Sequence, residues 1–80
     1  MAPTIHREGP YRFHFYSKEG NEPAHIHVTR DNMTVKVWIH PCQVASNDGY
    51  PAHELARILA LVETHKTQFL EAWNEHFAPE

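Results

Sequence analysis

The amino-acid sequence predicts an α+β domain in which a three- or four-stranded antiparallel sheet (a meander) packs on a C-terminal amphipathic helix or helix pair. Two observations favour this fold class. Apolar residues recur with a period close to two before residue 41, and with a helical period after residue 52. A chain of 80 residues has the length of one small domain. We therefore expect a single domain over residues 1–80, with the sheet at about 4–40 and the helical part at about 52–77.

Three segments alternate apolar and polar residues as half-buried strands do: residues 11–17, 25–30 and 33–39. A weaker fourth candidate is residues 4–8. The apolar members of each segment should face the helix. This predicted core side comprises Ile5, Tyr11, Phe13, Phe15, Ile26, Val28, Val35, Val37 and Ile39.

Two short segments are predicted to be the turns of this sheet. Gly9–Pro10 lies between the first two candidate strands. Asp31–Asn32 lies between the last two, and both residue types tolerate the positive φ that a tight hairpin turn demands. We therefore expect the strands on either side of Asp31–Asn32 to pair as a hairpin.

The helical part begins after Pro51, which suits a first helical turn, and contains no Pro or Gly from Ala52 to about Phe77. A polar gap at Glu63–Gln68 leaves open whether this is one long helix or two. The apolar stripe consists of Leu55, Ile58, Leu59, Val62, Phe69, Trp73 and Phe77. The acidic residues, expected to form a solvated helix face, are Glu54, Glu63, Glu71 and Glu75.

Composition narrows the class of protein. A hydrophobic share of 41% with a net charge of −3 favours a folded chain over a disordered one. Cys42 is the only cysteine, so no intramolecular disulfide can form, which suits a reducing compartment. There is no signal-peptide pattern and no apolar run long enough for a bilayer. We expect a cytoplasmic protein without a membrane partner.

The sheet face opposite the helix is predicted to be open and to carry an unusual set of side chains. Strict alternation places five histidines there together with one arginine and one lysine. Residues 1–40 carry five basic against four acidic residues, whereas residues 41–80 carry two against six, so any anion binding is expected in the N-terminal half. The set is His6, Arg12, His14, Tyr16, His25, His27, Thr29, Lys36, Trp38 and His40.

One function for this face is nucleic-acid binding. Arg12 and Lys36 can contact phosphate oxygens, and Tyr16 and Trp38 can stack on bases. Because the whole chain is acidic and offers few fixed positive charges, such binding should be weak and sensitive to salt.

A second function is metal binding. His25 and His27 are two residues apart on a strand and point the same way, as ligands of zinc or another divalent transition metal must. A third ligand would come from His14 or His40 on flanking strands, or from Glu22. The positive charges of the same face disfavour a cation.

Catalysis and a purely structural role complete the alternatives. Two histidines with Arg12 or Lys36 form the minimal set for metal-free RNA cleavage, so whether the chain is an enzyme stays open. In the structural alternative, the rings of His25 and His27 bond to backbone carbonyls and fix the preceding loop.

Several motifs resemble those of the small bacterial family known as domain of unknown function 4160. They are PTIHREGPYRFHFYS at 3–17, EGNEPAHIHV at 19–28, KVWI at 36–39, and FLEAW with HF at 69–77, so the resemblance covers nearly the whole chain. It implies gene pairs that resemble toxin–antitoxin modules, and hence a small cognate protein partner. The family motif is carried by Arg12, Phe13, Phe15, Ser17, Glu22, Pro23, His25 and His27.

We therefore expect a binding module of a toxin–antitoxin-like pair that contacts RNA, DNA or its partner protein and needs no cofactor. Its binding residues are predicted to be Arg12, His25, His27, Lys36 and Trp38. The alternatives are a metal-free ribonuclease-type enzyme, or a metal-binding protein that uses His25 and His27 with His14 to hold zinc or another divalent transition metal. A homodimer is also left open.

Overall fold

The computed structural model describes residues 4–16 and 19–77, so Ser17 of the family motif lies outside the described residues. The described residues form five strands followed by two helices. The strands are β1 (Thr4–Glu8), β2 (Tyr11–His14), β3 (His25–Arg30), β4 (Met33–Trp38) and β5 (Gln43–Asp48), and the helices are α1 (Ala52–Thr64) and α2 (Lys66–His76). Strand order in the sheet follows the sequence and every pair is antiparallel, which confirms the meander and the helix pair.

Both predicted turns are present. Gly9 adopts a φ of +57° between β1 and β2, and Asp31 a φ of +55° between β3 and β4. With Arg30 paired to Met33, Asp31 and Asn32 form a two-residue hairpin loop. The positive φ at Asp31 is the conformation that this type of loop requires.

Strand β5 is an addition to the predicted sheet. Its sequence, QVASND, contains few of the residues that favour strands, and all six of its residues are exposed. It forms because β4 offers it a second row of backbone partners, from Trp38–Gln43 to Thr34–Asp48. After Gly49, Tyr50 is buried and donates its hydroxyl proton to the Val28 carbonyl at 3.1 Å, which fastens the end of β5 to the core.

The helical part breaks into two helices at His65, inside the polar gap noted in the sequence. His65 has φ −101° and ψ 18°, and it is at once the C-cap of α1 and the N-cap of α2. A change of direction is feasible here because the polar residues do not continue the apolar stripe. Neither described helix is long and apolar enough to cross a bilayer.

The core lies between the sheet and the helices and contains the predicted residues. Phe13 packs on Phe69 with ring centroids 5.4 Å apart, and Phe15 meets Trp73 edge-on at 5.3 Å. Each of the predicted core residues is buried except Ile5, which is partly buried against the same cluster. Phe69 and Trp73 therefore belong to the core.

The position predicted for His6 is wrong, because the alternation of β1 is broken. The register shifts between Thr4 and His6, and His6 lies opposite the core residue Phe13. Its ring contacts Phe13, at 5.5 Å between centroids, and His65, at 4.5 Å. A bulge moves the following side chains to the other face, so His6 faces the helices and not the histidine-rich side.

The acidic helix face is also not entirely solvated. Glu54 is 9% exposed, accepts the Tyr11 hydroxyl proton at 2.9 Å, and pairs with the Arg30 guanidinium at 3.1 Å. Burial and the Glu54 carboxylate together raise the pKa of Tyr11. Glu54 thus ties α1 to β2 and β3 as a hydrogen-bonded carboxylate.

Replacement of Glu54 by Ala should destabilise the protein by about 2–3 kcal/mol, because the buried Tyr11 hydroxyl and the Arg30 guanidinium would both lose their partner. Urea denaturation followed by circular dichroism measures the change. The matched control is Glu71→Ala on exposed α2 surface, for which we expect a change within about 0.5 kcal/mol. Equal losses in the free energy of unfolding for the two variants would show that the contacts of Glu54 stabilise the fold no more than an exposed side chain does.

Candidate functional site

The sheet register places the predicted binding residues on one face. His25 lies opposite Trp38, His27 opposite both His14 and Lys36, and Arg12 opposite Thr29. Directly opposed residues share a face of the sheet, as do residues two apart on a strand. The alternation in the sequence therefore assigned this face correctly for all of these residues.

The expectation that this face is open is wrong at three of its histidines. His14, His25 and His27 are only 2%, 0% and 7% exposed. His25 is covered by Trp73 from α2, at 4.8 Å between ring centroids, and His27 by Tyr16, at 4.3 Å. Residues 19–24, which we call the capping loop, also lie against the pair, since the Glu19 carboxylate contacts both His25 and His27.

The capping loop is held at both of its ends. The Glu22 amide donates to the Glu19 carbonyl at 3.2 Å, closing a turn, and the Glu22 carboxylate pairs with the Lys36 ammonium at 2.6 Å. Gly20 lies so close to α2 that a Cβ there would stand 2.6 Å from Cδ1 of Phe77. The Ile39 amide donates to the Ala24 carbonyl at 3.1 Å, which attaches the loop next to β3. These contacts position Glu19 over the histidine pair.

Glu19, His25 and His27 bring three potential metal ligands together. Oε1 of Glu19 lies 2.9 Å from Nε2 of His25 and 2.8 Å from Nε2 of His27. All three ligand atoms lie within 4.8 Å of one another. Ligands about 2.1 Å from a shared ion stand about 3.0–3.4 Å apart, and both nitrogen–oxygen distances of this cluster lie within a few tenths of an ångström of that range.

The hydrogen bond of His25 Nδ1 determines which of the two ring nitrogens carries the proton when the ring is neutral. Nδ1 lies 2.9 Å from the Pro23 carbonyl oxygen, and because a carbonyl only accepts, Nδ1 must carry the proton. In the neutral ring Nε2 is then a lone pair that faces a carboxylate oxygen. This buried atom finds no hydrogen-bond partner among the residues that the structure describes. In the neutral ring two acceptors are therefore in contact, an arrangement that a cation bound between them would stabilise.

The charge states of the other two ligands also suit a cation. Burial lowers the pKa of His27, and outweighs the opposite effect of the Glu19 carboxylate. Burial works against ionisation of Glu19, but the two adjacent imidazoles outweigh it, so the pKa of Glu19 is lowered. At neutral pH the cluster therefore holds a carboxylate beside a neutral His27 imidazole, the states that metal ligands need.

The other predicted binding residues lie beside this cluster and not in it. Arg12 donates from Nε to Thr4 Oγ1 at 2.9 Å, in the strand row next to His27. Lys36 pairs with Glu22 and stands 4.8 Å above the ring of Trp38, which meets His25 edge-on. The two histidine rings converge on Glu19, and Arg12 lies one row away, opposite Thr29.

Three predicted third ligands are likewise placed elsewhere. Nε2 of His14 lies 2.8 Å from Thr29 Oγ1, and its ring stacks on His27 at 5.7 Å without joining the cluster. His40 is exposed in the turn after β4. Glu22 pairs with Lys36. Sequence reasoning missed Glu19, the carboxylate that reaches the pair, because both acids lie in one loop and only the loop's path separates their roles.

The fold and this cluster define a class of protein: a small α+β meander with a buried two-histidine, one-carboxylate cluster beneath a short loop. Residues 11–74 match the model of a family described as a domain of unknown function (DUF4160), and the chain belongs to that family. The matched range includes β2 to β5, the capping loop, the whole of α1, and α2 as far as Asn74. It therefore contains all three residues of the cluster. No curated protein and no solved structure matches the chain significantly.

Proposed function

We propose that this protein binds a divalent transition metal, with zinc as the first candidate, through Glu19, His25 and His27. The observation that carries the proposal is Nε2 of His25. It is fully buried and lies 2.9 Å from a Glu19 carboxylate oxygen, and in the neutral ring it can only accept because Nδ1 donates to the Pro23 carbonyl. Metal-bound histidines characteristically donate a hydrogen bond from their other ring N–H to a carbonyl or carboxylate in this way.

The ligand set indicates which metals to expect. Two imidazoles and one carboxylate suit zinc, copper, nickel, cobalt and iron, whereas magnesium and calcium prefer oxygen ligands alone. Three protein ligands leave at least one coordination position for water or another ligand. Binding at neutral pH must displace the proton with which His27 Nε2 bonds to Glu19, so the affinity should fall in acid.

Metal binding would also have a structural effect, because Glu19 is in the capping loop whereas His25 and His27 are in β3. An ion shared by the three would fasten the loop to the sheet with a stronger bond than the existing contacts provide. The structural alternative drawn from the sequence is partly present, since His25 bonds to the Pro23 carbonyl. That bond accounts for only one of the ring's two nitrogens.

Two predictions from the sequence have less support than metal binding. They are contact of this face with nucleic acid and cleavage of RNA by the histidine pair. Phosphates and bases must reach the rings, and both rings are buried. The Lys36 ammonium is already paired with Glu22. A toxin–antitoxin-like partner rests on the family resemblance alone.

Titration of chelator-treated protein with Zn²⁺, followed by competition with a chromophoric chelator, tests the proposal. Wild type should bind one tight equivalent, and Glu19→Gln should bind it at least about 100-fold more weakly because the charged ligand is lost. Histidine NMR resonances of His25 and His27 should shift together at stoichiometric metal, whereas Mg²⁺ should leave them unchanged.

The matched control is Glu22→Gln, which removes a carboxylate three residues along the same loop that does not reach the pair, while the amide oxygen can still accept from the Lys36 ammonium and hold the loop. It should retain the affinity within a few-fold. If the two variants bind zinc equally, or wild type binds none at micromolar metal, the metal proposal fails.

A further inference from the structure

A second cluster of the same composition lies on the opposite, helix-facing side of the sheet. It consists of His6 and Glu8 on β1 and His65 at the junction of α1 and α2. Oε1 of Glu8 lies 3.1 Å from His6 Nε2 and 2.9 Å from His65 Nε2. The two rings contact each other at 4.5 Å between centroids, and all three ligand atoms lie within 4.8 Å of one another.

We propose that His6, Glu8 and His65 form a second divalent-metal site, which binds the same class of metal as the first but more weakly. The ligand atoms are again two imidazole nitrogens and a carboxylate oxygen, a set that zinc, copper and nickel accept. The proposal does not depend on the first site, because the two clusters share no residue.

The local fold brings these ligands together at a specific place. Without the register shift between Thr4 and His6, strict alternation would direct His6 away from the helices. With the bulge, His6 and Glu8 both reach His65, which is 57 residues further along the chain than Glu8. An ion there would join the edge strand of the sheet to the point where the two helices meet.

The accessibility of the cluster suits reversible binding. The side chains of His6, His65 and Glu8 are 23%, 24% and 43% exposed, so an ion can reach the cluster without local unfolding. Both Nε2 atoms already lie at hydrogen-bond distance from Glu8. A metal must replace both hydrogen bonds and move both protons. The site should therefore bind metal more weakly than the first site, where the bond from His25 Nδ1 to the Pro23 carbonyl already leaves Nε2 free of a proton in the neutral ring.

The experiment uses Glu19→Gln protein, in which the first site is impaired, and Zn²⁺ alone as the probe. One weaker equivalent should remain, and the resonances of His6 and His65 should move together as it binds. Adding Glu8→Gln should weaken this equivalent at least about 10-fold. Adding His53→Gln, which removes an exposed histidine of α1, should leave it unchanged.

Zinc binding that persists unchanged without Glu8, or shifts of His53 and His40 as large as those of His6 and His65, would show scattered binding to surface histidines and overturn the proposal. So would the lack of any second equivalent in wild-type protein at millimolar zinc. Failure of the first site alone would appear as loss of the tight, Glu19-dependent equivalent with this weaker one retained.

Discussion

Zn²⁺ at about 100 times its dissociation constant should raise the melting temperature of chelator-treated protein by about 10–20 °C. At that ratio a ligand that binds only the folded state adds about 2.7 kcal/mol to the free energy of unfolding. Each kcal/mol shifts the melting temperature of a domain of this size by about 4–8 °C. The effect is large because the three ligands come from two segments, the capping loop and β3, which are brought together only in the folded chain.

Melting curves followed by circular dichroism at increasing Zn²⁺ measure this shift. Glu19→Gln should lose most of the stabilisation, and Glu22→Gln should keep it. The zinc concentrations should remain below those that fill the weaker site, so that Glu8→Gln responds as wild type does. A shift of the same size in Glu19→Gln would assign the stabilisation to another part of the protein.

Acidification from pH 7 to pH 4.5 in the presence of chelator should lower the free energy of unfolding by about 2 kcal/mol through His14 alone. Burial, followed by the nearby Arg12 charge, lowers the pKa of His14 from 6.5 to about 4. The folded protein therefore keeps His14 neutral, whereas the unfolded chain protonates it below pH 6.5. The stabilisation is complete above pH 6.5 and is lost as the pH falls towards 4.

The variant that isolates this effect is His14→Gln, whose terminal amide can still bond to Thr29 Oγ1 but does not titrate. Urea denaturation at a series of pH values compares the variant with wild type. Other groups with lowered pKa values, Glu19 and His27 among them, are present in both proteins, so the difference between the two curves reports His14 together with its coupling to these neighbours. Parallel stability curves for the two proteins between pH 7 and pH 4.5 would show that His14 is not held neutral by the fold.

The sequence predicted most of the fold because periodicity reports directly which side of an element is buried. Alternation identified β2, β3, β4 and the weaker β1, and helical spacing identified the stripe that contains Ile58 and Trp73. The sequence pattern did not identify β5, because the residues of this strand do not alternate between apolar and polar. It also did not identify the bulge that turns His6 towards the helices. Both features depend on pairing with a neighbouring strand.

For the site, the sequence by itself determined that His25 and His27 share a face of β3 with Lys36 and Trp38 opposite them, because adjacent strands in register impose this arrangement. Only the tertiary structure decided that the face is covered at the histidines, and that Glu19 and not Glu22 completes the cluster. The reason is physical. Burial and the path of a loop result from contacts between distant segments, such as Gly20 against Phe77 and His25 against Trp73, and local sequence patterns do not specify them.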